Sequence, residues 1–126
     1  MLADDNELIR SGLRSLLQEH GGWLVCAEAT DGRDALEKAI RFKPDVILVD
    51  AAMPHLSGFE VAGRIHEQLP DSEIVIVTEH DARTLAHIQP QPGVRGYAMK
   101  SRLSYDLLAA VEAASKHQPV SLPASA

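Results

Sequence analysis

Helical and strand-like spacings of apolar residues alternate along the whole chain, the pattern of an α/β domain built on a parallel sheet. From Glu7 to Glu19, Leu8, Ile9, Leu13, Leu16 and Leu17 fall on one helical stripe, with Asn6 as N-cap and His20-Gly21-Gly22 as the stop. Trp23 to Ala29 reads as a strand, and Thr30 or Asp31 caps a second helix whose inner face is Ala35, Leu36, Ala39 and Ile40. Pro44 ends that helix. Val46-Ile-Leu-Val49 then gives an unbroken aliphatic run suited to a strand covered on both faces, the expected centre of the sheet.

Ser57-Gly-Phe-Glu60 has the form of a capping box, in which serine and glutamate satisfy each other's backbone donors, and it opens a helix with Phe59, Ala62 and Ile65 inward. Ile74 to Val77, ending at Thr78, and Val94 to Met99, ending at Lys100, are two further buried strands. Leu103, Leu107, Leu108 and Val111 define a last amphipathic helix to about Lys116. Between Ala82 and Gln89 the pattern supports a helix of barely two turns, because Pro90 and Pro92 lack amide donors. Residues 1–117 form the expected domain, and 118–126, rich in turn formers and without a period, read as a linker or tail. Only Met1-Leu2-Ala3 precede Asp4, where a strand of ~5 to 6 residues is typical. A first strand so truncated threatens to leave backbone groups of its neighbours unpaired.

A chain of 126 residues is one domain, long enough to bury a core without disulfides or metal staples. The formal charge of −6 and the scattered Lys and Arg residues leave no basic stripe for direct contact with nucleic acid. No apolar run approaches the ~18 residues of a membrane span, and no signal segment opens the chain, so a cytoplasmic location is expected. Cys26 lies in an apolar stretch and reads as a small buried hydrophobe. The six histidines show no metal-binding spacing.

The chemistry lies at the strand ends. In a parallel sheet the ends of successive strands gather at one edge, which brings Asp4-Asp5, Asp50, Thr78 and Lys100 together. Each alone has an ordinary explanation: an Asp pair before a helix caps it, and a strand-end Asp or Lys is solvated. Their conjunction points to a site. Three close carboxylates repel unless a proton or cation intervenes, and an all-oxygen set favours magnesium, or manganese, over zinc. Lys100 adds a point positive charge and Thr78 a hydroxyl, which together make a receptor for a trianionic group at Asp50.

The segments Ala3-Asp-Asp-Asn, Val49-Asp-Ala-Ala-Met-Pro with Gly58 following, Ile76-Val-Thr and Gly96-Tyr-Ala-Met-Lys occur in this order over nearly the whole chain. They resemble the motifs of response-regulator receiver domains of two-component signalling, the CheY-like family. Arg95-Gly-Tyr and the Pro-Val-Ser-Leu-Pro ending are most similar to receivers of the nitrate-response and LuxR type. The resemblance implies a doubly wound, flavodoxin-like sheet of five parallel strands in the order 2-1-3-4-5, with helices on both faces.

For function, the resemblance implies that Asp50 accepts a phosphoryl group from a sensor histidine kinase. Asp5, Asp50 and the backbone carbonyl of Ala52 would hold magnesium directly, and Asp4 largely through a water. Lys100 and Thr78 would assist the transfer, and Thr78 with Tyr97 would form the switch. It further implies a transcriptional output through a C-terminal DNA-binding domain outside this chain, a homodimer as one possible assembly, and no enzymatic activity beyond the domain's own phosphorylation and dephosphorylation. Ala52 and His80 stand where the family tunes phosphate lifetime, and Glu79 where a small residue is common. The short first strand, Glu79 and the two prolines motivate an alternative: a degenerate receiver that binds a partner without phosphate. A phosphatase is disfavoured because Asp50 is followed by Ala51-Ala52 rather than by an acid two residues on, and no Gly-rich phosphate loop supports a nucleotide enzyme.

Overall fold

A computed structural model of the chain describes residues 1–79 and 93–116. Five parallel strands, β1 (Leu2–Ala3), β2 (Glu28–Ala29), β3 (Val46–Asp50), β4 (Glu73–Thr78) and β5 (Val94–Met99), form one sheet in the order 2-1-3-4-5. Helices α1 (Glu7–Ser15), α2 (Gly32–Phe42), α3 (Gly58–Gln68) and α4 (Leu103–Ser115) pack on it. The short helix expected between Ala82 and Gln89, with Pro90 and Pro92, and the tail 118–126 lie outside the described residues.

Alternation along each strand divides the core into two layers. Ile47, Val49, Ile74 and Ile76 point to α2 and α3, where they meet Ala35, Ala39, Val61, Ala62 and Ile65. Val46, Leu48, Val75 and Val77 point the other way, to Leu13 and Leu17 of the first helical segment and to Leu107, Ala110 and Val111 of α4. Both faces of β3 and β4 are therefore apolar, which is why these strands lack any polar alternation in sequence.

The two-residue β1 still joins the halves of the sheet. Leu2 and Ala3 register with Glu28 and Ala29 on one side and with Leu48 and Val49 on the other. The Leu2 N–H donates to Ala27 O at 3.1 Å, and the Asp4 N–H to Ala29 O at 3.0 Å. On the far side the Leu48 N–H donates to Met1 O at 2.9 Å, and the Met1 ammonium donates to Val46 O at 2.9 Å. The neighbouring backbone groups that a short strand was expected to orphan are thus paired along this stretch.

Other expectations are corrected. The segment Trp23 to Ala27 is not strand. β2 is an edge strand whose sole neighbour is β1, so its ladder is no longer than the two residues β1 offers. Cys26 lies beyond that ladder and is exposed, not buried. Leu8 is 76% exposed because it sits ~100° around the helix from Ile9, outside the stripe. Ile40 is likewise exposed, being ~140° from Ala35. The first helix ends as α-helix at Ser15 and continues as a π-type turn over Leu16–His20. The caps at Asn6 and Asp31 form as expected, Asp31 rather than Thr30 taking the second. At α3 the Glu60 N–H donates to Ser57 Oγ at 3.2 Å, but the return arm runs from the Ser57 hydroxyl to the Glu60 carboxylate at 3.4 Å instead of from the Ser57 backbone.

Candidate functional site

The carboxyl ends of β1, β3, β4 and β5 open onto a cleft of about 530 Å³ lined by, among others, Asp5, Asp50, Phe59, Thr78 and Lys100. A separate apolar hollow of about 360 Å³ beside Trp23 and Phe42 holds none of these strand-end residues. Asp50 is the last residue of β3 and is buried at 4% exposure. Its Oδ1 accepts from the Ala52 N–H at 3.2 Å and lies 3.3 Å from Lys100 Nζ. Ala52 thus reaches Asp50 through its amide.

The turn after Asp50 is held tightly. Gly58 donates its N–H to Ala51 O at 3.0 Å, and a Cβ at Gly58 would lie 2.9 Å from Ala51 Cα. A side chain there would push the Asp50 loop and the start of α3 apart. Within the same loop His55 has φ 73° while the Leu56 N–H returns to Pro54 O at 2.9 Å, a left-handed three-residue turn. A non-glycine residue in that conformation stores of order 1–3 kcal/mol.

Asp4 is buried and Asp5 exposed. One oxygen of each of Asp4, Asp5 and Asp50 lies within 4.8 Å of the others. Asp4 Oδ1 accepts from the Asn6 N–H at 2.8 Å, whereas its Oδ2 is buried without a hydrogen bond and stands 3.8 Å from Lys100 Nζ. Three carboxylates face one ammonium, so the cluster keeps an excess of negative charge. An all-oxygen set with a buried, hydrogen-bond-free carboxylate oxygen fits a hard divalent cation such as magnesium. Thr78 is buried at the end of β4. Tyr97 in β5 is half-buried, packs its ring 6.4 Å from that of Phe59, and has its phenol pKa raised by burial. His80 lies outside the described residues, and Glu79 is exposed at the mouth of the cleft.

Burial raises the Asp4 carboxyl pKa above its usual value, and Asp50 adds to this; the Asn6 N–H and Lys100 oppose it. The folded-state value therefore exceeds the unfolded one, so ionised Asp4 costs stability at neutral pH, and the cost is relieved as pH falls through the folded value. Asp4→Asn is expected to raise the melting temperature of the metal-free protein at pH 7, with the gain shrinking toward pH ~4. Thermal melts followed by circular dichroism check this; no gain at pH 7 would show that Lys100 already offsets the burial.

Sequence reasoning did not single out three features. Arg10 donates to the Asp4 carbonyl at 2.7 Å. His55 takes its left-handed turn beside Asp50. At the opposite edge of the sheet, Arg95 in β5 forms a two-pronged pair with the buried Glu73 in β4, at 2.8 and 2.9 Å. Of these, the Arg95 pair had a legible signal in the opposite charges at the starts of adjacent strands.

Comparison with known proteins gives this arrangement its family. The sequence model of the response regulator receiver domain matches residues 1–112. The transcriptional regulatory protein YxjL of Bacillus subtilis is 38% identical over 119 residues, which cover 94% of this chain and 55% of that protein. The response regulator UvrY of Escherichia coli is 32% identical over 111 residues, 88% of this chain and 51% of its own length. The chain thus spans about half the length of the curated relatives it matches. Among solved structures, a LuxR-family two-component response regulator from Aurantimonas superposes with a TM-score of 0.88 at 30% identity, covering 98% of this chain and 88% of the other. The receiver domain of the response regulator NarL from Mycobacterium tuberculosis gives 0.83 at 30% identity, covering 93% and 94%. With the sheet order, the strand-end cluster and these relatives in agreement, the chain belongs to the response regulator receiver domains of two-component signalling, among those of LuxR and NarL type.

Proposed function

We propose that this domain takes a phosphoryl group on Asp50 from a phosphohistidine of a sensor kinase and passes the change to a transcriptional output, a DNA-binding domain carried elsewhere in the protein. One observation carries the reading: the Asp50 carboxylate is buried 3.3 Å from Lys100 Nζ and shares a 4.8 Å cluster with Asp4 and Asp5. In the reaction an Asp50 oxygen forms a bond to phosphorus while the phosphorus–nitrogen bond to the imidazole breaks, the electron pair leaving on nitrogen. The transition state is loose and needs charge neutralisation and alignment more than proton transfer. A magnesium ion held by Asp5, Asp50 and the Ala52 carbonyl, with Asp4 acting through a water, would supply part of that neutralisation. Lys100, whose ammonium lies 3.3 Å from Asp50, supplies the rest. The Ala52 amide and the Gly58 contact fix the Asp50 carboxylate and the turn that follows it.

Thr78 and Tyr97 serve as the switch in this reading. A new phosphoryl group is a strong acceptor for the Thr78 hydroxyl, and Tyr97, lodged against Phe59, turns into the space that Thr78 leaves. Such a shift needs only two populated states with different affinity for the phosphoryl group. Exposed Glu79 at the cleft mouth favours the second reading, a partner-binding receiver that works without phosphate. Incubating the chain with magnesium and a small acyl phosphate separates the two by intact-mass measurement. One added phosphoryl group is expected; no adduct under conditions that label a control receiver supports the phosphate-independent module.

A further inference from the structure

Arg10 joins three elements that bear on the acidic pair. It lies in α1, and its Nη1 donates to the Asp4 main-chain carbonyl at 2.7 Å while its Nε donates to Glu28 Oε1 of β2 at 3.3 Å. The side chain is 14% exposed, so the arginine stem is packed rather than waving in solvent. The second carboxylate oxygen of Glu28 takes Arg14 from the next turn of α1. Glu28 therefore braces Arg10 against its carbonyl partner from behind.

This matters because β1 contributes only two residues to the ladder. The backbone leaves the sheet at Asp4, after the bond from its N–H to Ala29 O. The peptide linking Asp4 to Asp5 then depends on side chains for its orientation, and Arg10 supplies the donor to its oxygen. Asp4 is pinned by its own N–H in the sheet and by the Asn6 N–H on its carboxylate, so a rotation of that peptide would swing Asp5 relative to Asp4 and Asp50. A guanidinium suits the task, since its rigid fork can grip a carbonyl and a carboxylate together, which an ammonium does less well.

We infer that Arg10 is a positioning residue for divalent-cation binding, holding the Asp4–Asp5 peptide so that the Asp5 carboxylate stays within reach of Asp4 and Asp50. The inference rests on the reading of the cluster as a magnesium site. It concerns geometry and not charge, and the two have opposite signs. Removing a nearby positive charge on Coulomb grounds alone tightens cation binding, whereas releasing the peptide weakens it.

Calorimetric titration of the full chain with Mn²⁺ reads the affinity directly, without phosphorylation. Arg10→Met is expected to lose about tenfold, the scale on which partners of metal ligands act. Arg10→Lys keeps the charge and is expected to recover only part of it. Arg14→Met also loses a Glu28 partner but touches nothing at Asp4, and is expected to bind Mn²⁺ like the parent. Unchanged or tighter binding by Arg10→Met overturns the inference, as does an equal loss in Arg14→Met, which would mark a general effect of loosening α1. If Arg10→Met does not fold, Arg10→Lys carries the test, and affinity equal to that of the parent overturns it. Absence of Mn²⁺ binding by the parent overturns both this inference and the cation reading beneath it.

Discussion

Asp50→Asn is expected to abolish the phosphoryl adduct that the parent chain forms with an acyl phosphate and magnesium. The substitution is nearly isosteric. It keeps an oxygen to accept from the Ala52 N–H, so the turn that Gly58 closes against Ala51 is not disturbed. What disappears is the anionic oxygen that attacks phosphorus, together with one of the three charges that draw a cation to the cluster. No nearby group replaces it at the same point. Asp4 is committed through Oδ1 to the Asn6 N–H, and Asp5 lies on the solvent side. Intact-mass measurement after a period that saturates the parent gives the answer. An adduct retained by Asp50→Asn would falsify the assignment and turn attention to Asp4 or Asp5 as the acceptor.

The second large effect belongs to Lys100. Its ammonium stands 3.3 Å from Asp50 and 3.8 Å from Asp4, with 17% of the side chain exposed, so solvent screens it only in part. A charge fixed beforehand where negative charge develops is worth about 10²-fold or more in rate. Lys100→Met preserves the stem and removes the charge, and labelling at saturating magnesium is expected to slow by about 10²-fold. Magnesium affinity should move the other way, or not at all, because the cluster becomes more negative. This split between rate and affinity separates a direct role from a structural one. A fall in both would mean that Lys100 chiefly keeps the carboxylates in place, and an unchanged rate would remove it from the transfer step.

Much of this was legible in the sequence because burial on both faces leaves an unmistakable mark. β3 and β4 carry uninterrupted aliphatic runs, β5 is a shorter apolar stretch broken by Arg95 and Gly96, and in a parallel sheet the ends of all three share an edge, so the sequence alone brings Asp50, Thr78 and Lys100 together. β2 could not be read the same way. Trp23 to Ala27 is apolar enough for a strand, but an edge strand's length is set by its partner, and no local property of these residues reports how many residues β1 provides. Cys26 was misplaced for the same reason. Leu8 and Ile40 show the other limit: each lies at the angular margin of its helical stripe, where an apolar residue type does not by itself ensure cover. Arg10 was illegible for a third reason. An arginine in an amphipathic helix ordinarily belongs to the solvated face, and here its partners are a carboxylate 18 residues further on and a main-chain carbonyl, which leaves no trace in residue type.

The short first strand also has a consequence in time. The amide of Leu48, on the central strand, is bonded to Met1 O, whereas the opposite side of β3 is zipped to β4 over five residue pairs. Freeing the first amide requires only that a two-residue ladder lift away, a far smaller opening than parting β3 from β4. Solvent deuterium should therefore reach Leu48 well before it reaches amides inside the β3–β4 ladder. A cation gripping Asp4 and Asp5 would tie down the same stub, so the exchange lifetime at Leu48 becomes a clock, buried in the sheet, for whether the acidic pair is seated.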